Sequence, residues 1–299
     1  MLARTLCRAT LLLALTTVVG AAPANKSVFV SVVDEANKPV TNMVADEFRV
    51  REDQTDREIV SVKSATDPLQ VVVLVDTSDG AGEMTQDIRN AVGGFFQQIH
   101  SANPDASISL MEFGQAAVTT IPFSSDDEAL KKALNKMVAK PGANSVLLEA
   151  ILQASNELVK RPSPRRAIVS LNVEPSNEQS REDLPKRAQD SLRKSQAQYW
   201  ALSVQSSSIS ARMTNKTAKT SNGIAPRDLV LNAFTKVTGG ERQMIVAVSA
   251  MAAMLKNYAD ILTSQYELTY ARPSGSGQVL QVGTTRQGTH PHVTGLAQQ

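Results

Sequence analysis

Hydrophobic and polar positions along the chain fall into three regimes. The first is a set of short N-terminal segments. Ser27–Val33 is rich in β-branched residues with partial alternation, Asp34–Lys38 reads as a turn, Glu47–Glu52 alternates apolar and charged side chains, and Glu58–Val62 does so more weakly. A period of two is the signature of half-buried strands.

From Leu69 the period changes. Val71–Val75 is a continuous apolar run closed by Asp76, the pattern of a parallel strand buried on both faces with a polar C-terminal end. Ile88, Val92, Phe95, Phe96 and Ile99 then recur at helical spacing, and Ile108, Leu110 and Phe113 mark a strand. Ser125 with Glu128 predicts a capping box for a helix through Leu130, Ala133, Leu134 and Met137. Pro141-Gly142 separates it from a helix over Ser145–Val159. A strand over Ala167–Val173, a charged helix over Arg181–Lys194 with Ser180 and Asp183 as candidate caps, and a strand over Tyr199–Val204 continue the alternation. Ser206–Ala225 is polar and aperiodic, and reads as a long loop. A helix over Leu229–Val237 stops at Gly239-Gly240, a short strand covers Met244–Val246, and a helix covers Ser249–Leu262 with Met251, Met254 and Leu255 as its core stripe. In the third regime Tyr266–Tyr270 alternates again, and Val279–Thr284 is expected to pair with it across a Gly-Ser turn.

Alternating strands and helices predict an α/β fold: a Rossmann-like, doubly wound, mostly parallel sheet covered on both faces. Neither terminal group of strands can bury a core alone, so the two are expected to join into one small β domain. The expected organisation is a leader over 1–24, N-terminal β strands over 25–67, the α/β domain over 68–264, and C-terminal β strands over 265–299.

Composition narrows the function classes. Of 299 residues, 42% are hydrophobic and 20% charged, which excludes a largely disordered chain, and the 4% aromatic content leaves packing to aliphatic residues. A net charge of +2 is too small to imply a nucleic-acid or membrane-surface partner. The basic cluster Lys160, Arg161, Arg165 and Arg166 is read as a solvated loop. Arg4 and Arg8 precede an apolar run from Leu11 to Ala22, and Ala22-Pro23-Ala24 offers a small-x-small cleavage site, so the chain reads as exported, periplasmic or secreted. The run is too short to span a bilayer, and no integral membrane segment is expected once it is removed. The single cysteine, Cys7, lies in this leader, so the remaining chain has no disulfide or thiolate metal site.

Candidate chemistry begins at Asp76-Thr77-Ser78-Asp79-Gly80, at the end of the first buried strand. In the same order follow Gly142-Ala143-Asn144-Ser145-Val146-Leu147-Leu148-Glu149-Ala150-Ile151, the strand Ile168–Glu174, Thr238-Gly239-Gly240, and Gln265-Tyr266-Glu267-Leu268-Thr269-Tyr270. Together with Val33–Val40 and Asp46–Val50, this series resembles the von Willebrand factor type A (VWA) family, in particular VWA-related bacterial exported proteins. The resemblance implies a metal-ion-dependent adhesion site in which Asp76, Ser78 and Ser145 are metal ligands. Mg²⁺ is the implied cofactor, a hard cation that takes oxygen donors and can be completed by a partner's acidic group. Two family ligands are replaced here, by Gly80 and Val173, so the site is expected to hold Mg²⁺ weakly or not at all; Asp79, Asn172 and Glu174 are the residues placed to compensate. Asp76 and Ser78 also suit a plain helix-capping role.

An enzyme finds no support in the sequence. The histidines are His100, near a helix end, and His290 and His292, read as a polar tail; there is no nucleophile elbow, phosphate-binding Gly-Lys-Ser/Thr loop or dinucleotide fingerprint. The expected function is therefore a non-enzymatic protein-binding or adhesion-type module acting through the rim of the sheet on a protein or cell-surface partner. The alternative is a metal-independent structural or assembly component of an exported complex.

Overall fold

The computed structural model describes residues 24–175, 178–205, 227–272 and 279–294. The expected leader, apart from its last residue, and the polar segment Ser206–Ala225 lie outside the described residues. In chain order, β1 (Ala24–Asp34), β2 (Phe48–Glu52), β3 (Thr55–Arg57) and β4 (Ile59–Ser64) come first. The α/β region follows: β5 (Gln70–Val75), α1 (Thr85–Ala102), β6 (Ser107–Phe113), β7 (Ala117–Ser124), α2 (Asp127–Lys136), α3 (Leu147–Val159), β8 (Arg166–Glu174), α4 (Leu184–Ser195), β9 (Gln198–Gln205), α5 (Arg227–Thr238), β10 (Arg242–Ile245) and α6 (Met251–Thr263). Finally come β11 (Tyr266–Arg272), β12 (Leu280–Thr284) and β13 (Thr289–Val293).

The central sheet runs β10-β9-β8-β5-β6-β7, parallel throughout except for β7, which is antiparallel to β6. Every residue of β5 is buried, because its alternate side chains feed two cores. Val71, Val73 and Val75 face α1, α2 and α6, with Phe95, Ile99 and Leu255 among their neighbours, while Val72 and Leu74 face α3, α4 and α5 with Ile151, Leu192 and Phe234. That two-sided burial is why the strand reads as a continuous apolar run. Met251 and Leu255 lie in the first core with Met254 packed against it, the stripe their spacing predicts.

The chain termini meet. β1 pairs with both β11 and β13, and β11 with β4, giving an antiparallel sheet β13-β1-β11-β4. A second sheet, β12-β2-β3, packs on it around Val30, Phe48, Leu268 and Tyr270, with Phe48 edge-on to Tyr266 at 5.5 Å. Two pairings differ from the sequence reading. Val279–Thr284 pairs with β2 rather than with Tyr266–Tyr270. Thr289–Val293 is a strand beside β1, not a polar tail, because pairing with an edge satisfies its backbone.

The terminal sheets are fastened to the α/β region by polar contacts. Arg165 is fully buried rather than solvated: its Nε donates to Gln265 Oε1 (3.1 Å), Nη1 to the carbonyls of Ala65 (3.2 Å) and Asp67 (2.7 Å), and Nη2 to that of Leu262 (3.0 Å). Burial lowers its pKa to about 10, with Asp67 pulling the other way. Ser31 Oγ donates to the carbonyl of Ile261 at 3.1 Å, so residues from outside the helix satisfy two carbonyls at the C-terminus of α6. The ring of His292 lies 4.9 Å from that of Trp200.

Thr238-Gly239-Gly240 has a packing cause. Thr238 Oγ1 accepts the N–H of Tyr199 at 3.0 Å, and a Cβ on Gly240 would stand 2.0 Å from the Tyr199 carbonyl oxygen. Gly239 has φ of +68° and no room for a side chain against Val293. The predicted caps shift as well. Asp126, not Ser125, caps α2 by accepting the N–H groups of Glu128 and Ala129, and Ser180 caps α3 at Leu148 N (3.2 Å) instead of α4. Asp183, at the start of α4, makes no cap bond and pairs with Arg181 and Arg187.

Candidate functional site

β5 and β8 are adjacent parallel strands, and the chain leaves them toward opposite faces of the sheet, so their C-terminal ends flank the point where strand order reverses. Asp76 follows β5 directly and is buried with Thr77 and Ser78. Its Oδ1 accepts the N–H of Ser78 at 2.9 Å, an Asx turn, and its Oδ2 accepts that of Val173 at 3.2 Å. The loop is tied to the neighbouring one: Lys140 N donates to Thr77 O (2.9 Å), Asp79 N to Ala143 O (3.0 Å), and Gly142 N to Asp79 Oδ1 (2.8 Å). Asp79 thus holds the loops together.

Strand alternation decides which β8 residues reach the site. Val173 turns its side chain into the core under α1 and α6 and contributes only its N–H to Asp76. Asn172 points to the other face, bonding Ser170 Oγ (3.0 Å) and the Leu202 carbonyl (3.2 Å) through Nδ2. Ser145 lies before α3, not within it, bridged to Glu178. Its Oγ donates to Glu178 Oε2 at 3.1 Å, and Glu178 Oε1 accepts from Leu147 N (3.0 Å) and Ser180 N (3.3 Å). Burial raises the pKa of Glu178, against the pull of Arg227 and the Ser180 and Ser145 hydroxyls.

Arg227 joins these groups, and the sequence pattern did not single it out. It opens α5 and its side chain is 6% exposed. Nη2 donates to Asn172 Oδ1 at 3.1 Å and stands 3.4 Å from Asp76 Oδ2, Nε stands 3.4 Å from Glu174 Oε1, and the guanidinium carbon lies 5.6 Å from the centre of the Phe113 ring. Burial opposes its charge most strongly, but Glu174, Asp76 and Glu178, with Tyr199, outweigh it and raise its pKa. Glu174 is raised in turn, by burial first, with Arg227 countering and Asp76 and Asp228 adding repulsion. One sequence signal could have pointed to Arg227: a cation at a helix N-terminus opposes the helix dipole, which calls for a specific acidic partner.

These side chains do not accommodate Mg²⁺ as they stand. Bound at about 2.1 Å from Asp76 Oδ2, the ion would lie no farther than about 5.5 Å from Arg227 Nη2. Repulsion there is about 6 kcal/mol at an effective dielectric near 20, and the carboxylates that would offset it already face a guanidinium. Among the described residues no group of three or more His, Cys, Asp and Glu side chains suits a metal. His100, an enzyme candidate by residue type, is occupied by Asp127 (2.5 Å) and the Ala106 carbonyl (3.2 Å).

A mostly parallel sheet covered by helices on both faces, with buried polar groups gathered where its strand order reverses, defines the doubly wound α/β class. Within that class the chain belongs to the von Willebrand factor type A family, whose domain model matches residues 70–242. Among solved structures it is similar to a von Willebrand factor type A protein from Catenulispora acidiphila, with 10% identity over 94% of this chain and 74% of that one and a TM-score of 0.50. It is also similar to BatB from Bacteroides thetaiotaomicron, with 14% identity, 64% and 98% coverage and a TM-score of 0.46. A third similar structure is proximal thread matrix protein 1 from the mussel byssus with zinc in its metal-ion-dependent adhesion motif, at 12% identity, 67% and 50% coverage and a TM-score of 0.49. No curated protein matches the sequence. Among the described residues no helix is long and apolar enough to cross a membrane.

Proposed function

We propose that this protein is a non-enzymatic binding module of an exported VWA protein, which engages a protein or cell-surface partner through the rim formed by the loops after β5, before α3 and after β8. The observation that carries the reading is the bonded network of buried polar side chains from these loops at the strand-order reversal. The network holds the rim rigidly and leaves Asp79, Gly82, Pro141, Gly142 and Gln179 exposed around it. A rigid scaffold beneath an exposed loop surface suits recognition more than chemistry: the serine hydroxyls at 145 and 180 face carboxylates, and neither has a histidine partner among the described residues. Asp76, Ser78 and Ser145 act in this reading as the frame of the rim. A division into N-terminal strands over 25–67 and C-terminal strands over 265–299, bracketing an α/β domain over 68–264, is supported among the described residues by the separate core around Phe48, Leu268 and Tyr270.

The test exploits Gly82, where an added Cβ meets nothing within 4 Å, so Gly82→Arg places a bulky charge on the rim without disturbing packing. Crosslinking capture from the producing cell's envelope and medium, compared between wild type, G82R and a control Lys160→Glu, is expected to lose its specific partner with G82R alone. Capture of the same partner in equal amount by G82R and wild type would refute rim binding.

A further inference from the structure

The geometry points to Arg227 as the resident cation of this site: its guanidinium takes the place of a metal ion between the ends of β5 and β8, and the site is closed to divalent cations by the chain's own side chain. Three observations converge. Oxygens from three residues surround it: Asn172 Oδ1 and Asp76 Oδ2 stand 3.1 and 3.4 Å from Nη2, and Glu174 Oε1 stands 3.4 Å from Nε. This is the donor set a hard cation would use, a little expanded for the larger guanidinium. Second, the charge is nearly fully enclosed, with Nη2 hydrogen-bonded to Asp76 and Asn172 but Nε and Nη1 without a hydrogen-bond partner among the described residues, so its desolvation is compensated chiefly by the facing carboxylates. Third, Arg227 sits at the N-terminus of α5, where the helix dipole disfavours a cation, so local helix stability does not account for it.

A tethered cation differs from a bound ion in its consequences. It cannot be removed by a chelator, and because it is covalently part of α5, its ion pairs and hydrogen bond tie the ends of β5 and β8 to that helix. The position of α5 and the geometry of the rim are thereby coupled through one side chain. The inference stands whether or not the rim binds a partner, since its tests use the isolated protein and a metal.

Mn²⁺ is the probe, titrated into the full-length protein with free ion counted by electron paramagnetic resonance and melting followed in parallel. For wild type, no stoichiometric ion is expected to bind, and about 10 mM Mn²⁺ or chelator should move the melting temperature by less than about 1 °C. Arg227→Ala is expected to melt lower without metal, to bind one Mn²⁺, and to regain about 3 °C or more at about 10 mM Mn²⁺. Arg227→Lys, which keeps a tethered cation, should remain as indifferent to Mn²⁺ as wild type. One Mn²⁺ bound by wild type and lost in Asp76→Asn would overturn the inference, even if R227A fails to fold. So would an R227A protein as stable as wild type without metal, or one that folds and binds no Mn²⁺.

Discussion

Replacing Arg165 with Met keeps an unbranched side chain, two atoms shorter, and removes its charge and all five of its N–H donors. In the folded protein that leaves the carbonyls of Ala65, Asp67 and Leu262 and the Gln265 Oε1 without their Arg165 donor, while Gln265 Nε2 still donates to Gln198 Oε1 at 3.0 Å. A buried acceptor stripped of its partner costs about 1–3 kcal/mol. The two in buried bonds, Leu262 O and Gln265 Oε1, with smaller losses at the part-buried Ala65 and Asp67 carbonyls and offset by the relief of no longer desolvating a guanidinium, come to about 3–5 kcal/mol, a large part of the roughly 5–15 kcal/mol that holds a domain together. The melting temperature should fall by about 10 °C, at roughly 2–4 °C per kcal/mol for a protein of this size. Urea denaturation followed by circular dichroism and by the single tryptophan, Trp200, gives the free energy directly. Arg165→Lys, with three donors on a flexible stem, should fall between the two. An R165M protein within about 1 kcal/mol of wild type would refute the reasoning, because it would mean that burying the charge costs as much as its bonds return.

Two further outcomes follow from the packing. Gly240→Ala forces a Cβ to within 2.0 Å of the Tyr199 backbone oxygen, so β9 must shift; the expected loss exceeds about 3 kcal/mol, and a soluble G240A protein with wild-type melting would contradict the contact. Burial lowers the pKa of His292, with Glu241 opposing and His290 adding to the shift. A histidine with a depressed folded pKa contributes stability that is present above its unfolded value of about 6.5 and is lost as pH falls from there toward the folded value. Melting temperature should therefore drop more steeply below about pH 6.5 in wild type than in His292→Phe, which keeps a ring against Trp200, and parallel curves would exclude this role.

Much of this architecture is written locally. A strand buried on both faces must be apolar at every position, and a helix covering one face must be apolar every three to four residues, so β5, β8, α1 and α6 are legible without knowing their neighbours. The ordered motifs around Asp76, Ser145 and Thr238 likewise identify the family from the sequence. What the sequence could not decide is which distant groups meet. β12 chose β2 over β11, and Thr289–Val293 became a strand, because strand pairing is settled by register and available edges rather than by the strand's own composition. Arg165 reads as one more basic residue in a charged cluster, and only the convergence of Ala65, Asp67, Leu262 and Gln265 makes it a clamp. The same holds at the site. Asp76, Ser78 and Ser145 could be picked out by motif, but Val173 against Asn172 is decided by which way alternate residues of β8 face, and Arg227 comes from fifty residues or more farther along the chain. The sequence determines the elements and the family because periodicity is a local property; the tertiary structure alone determines the cation of the site, because a buried charge is explained only by the oxygens that folding brings around it.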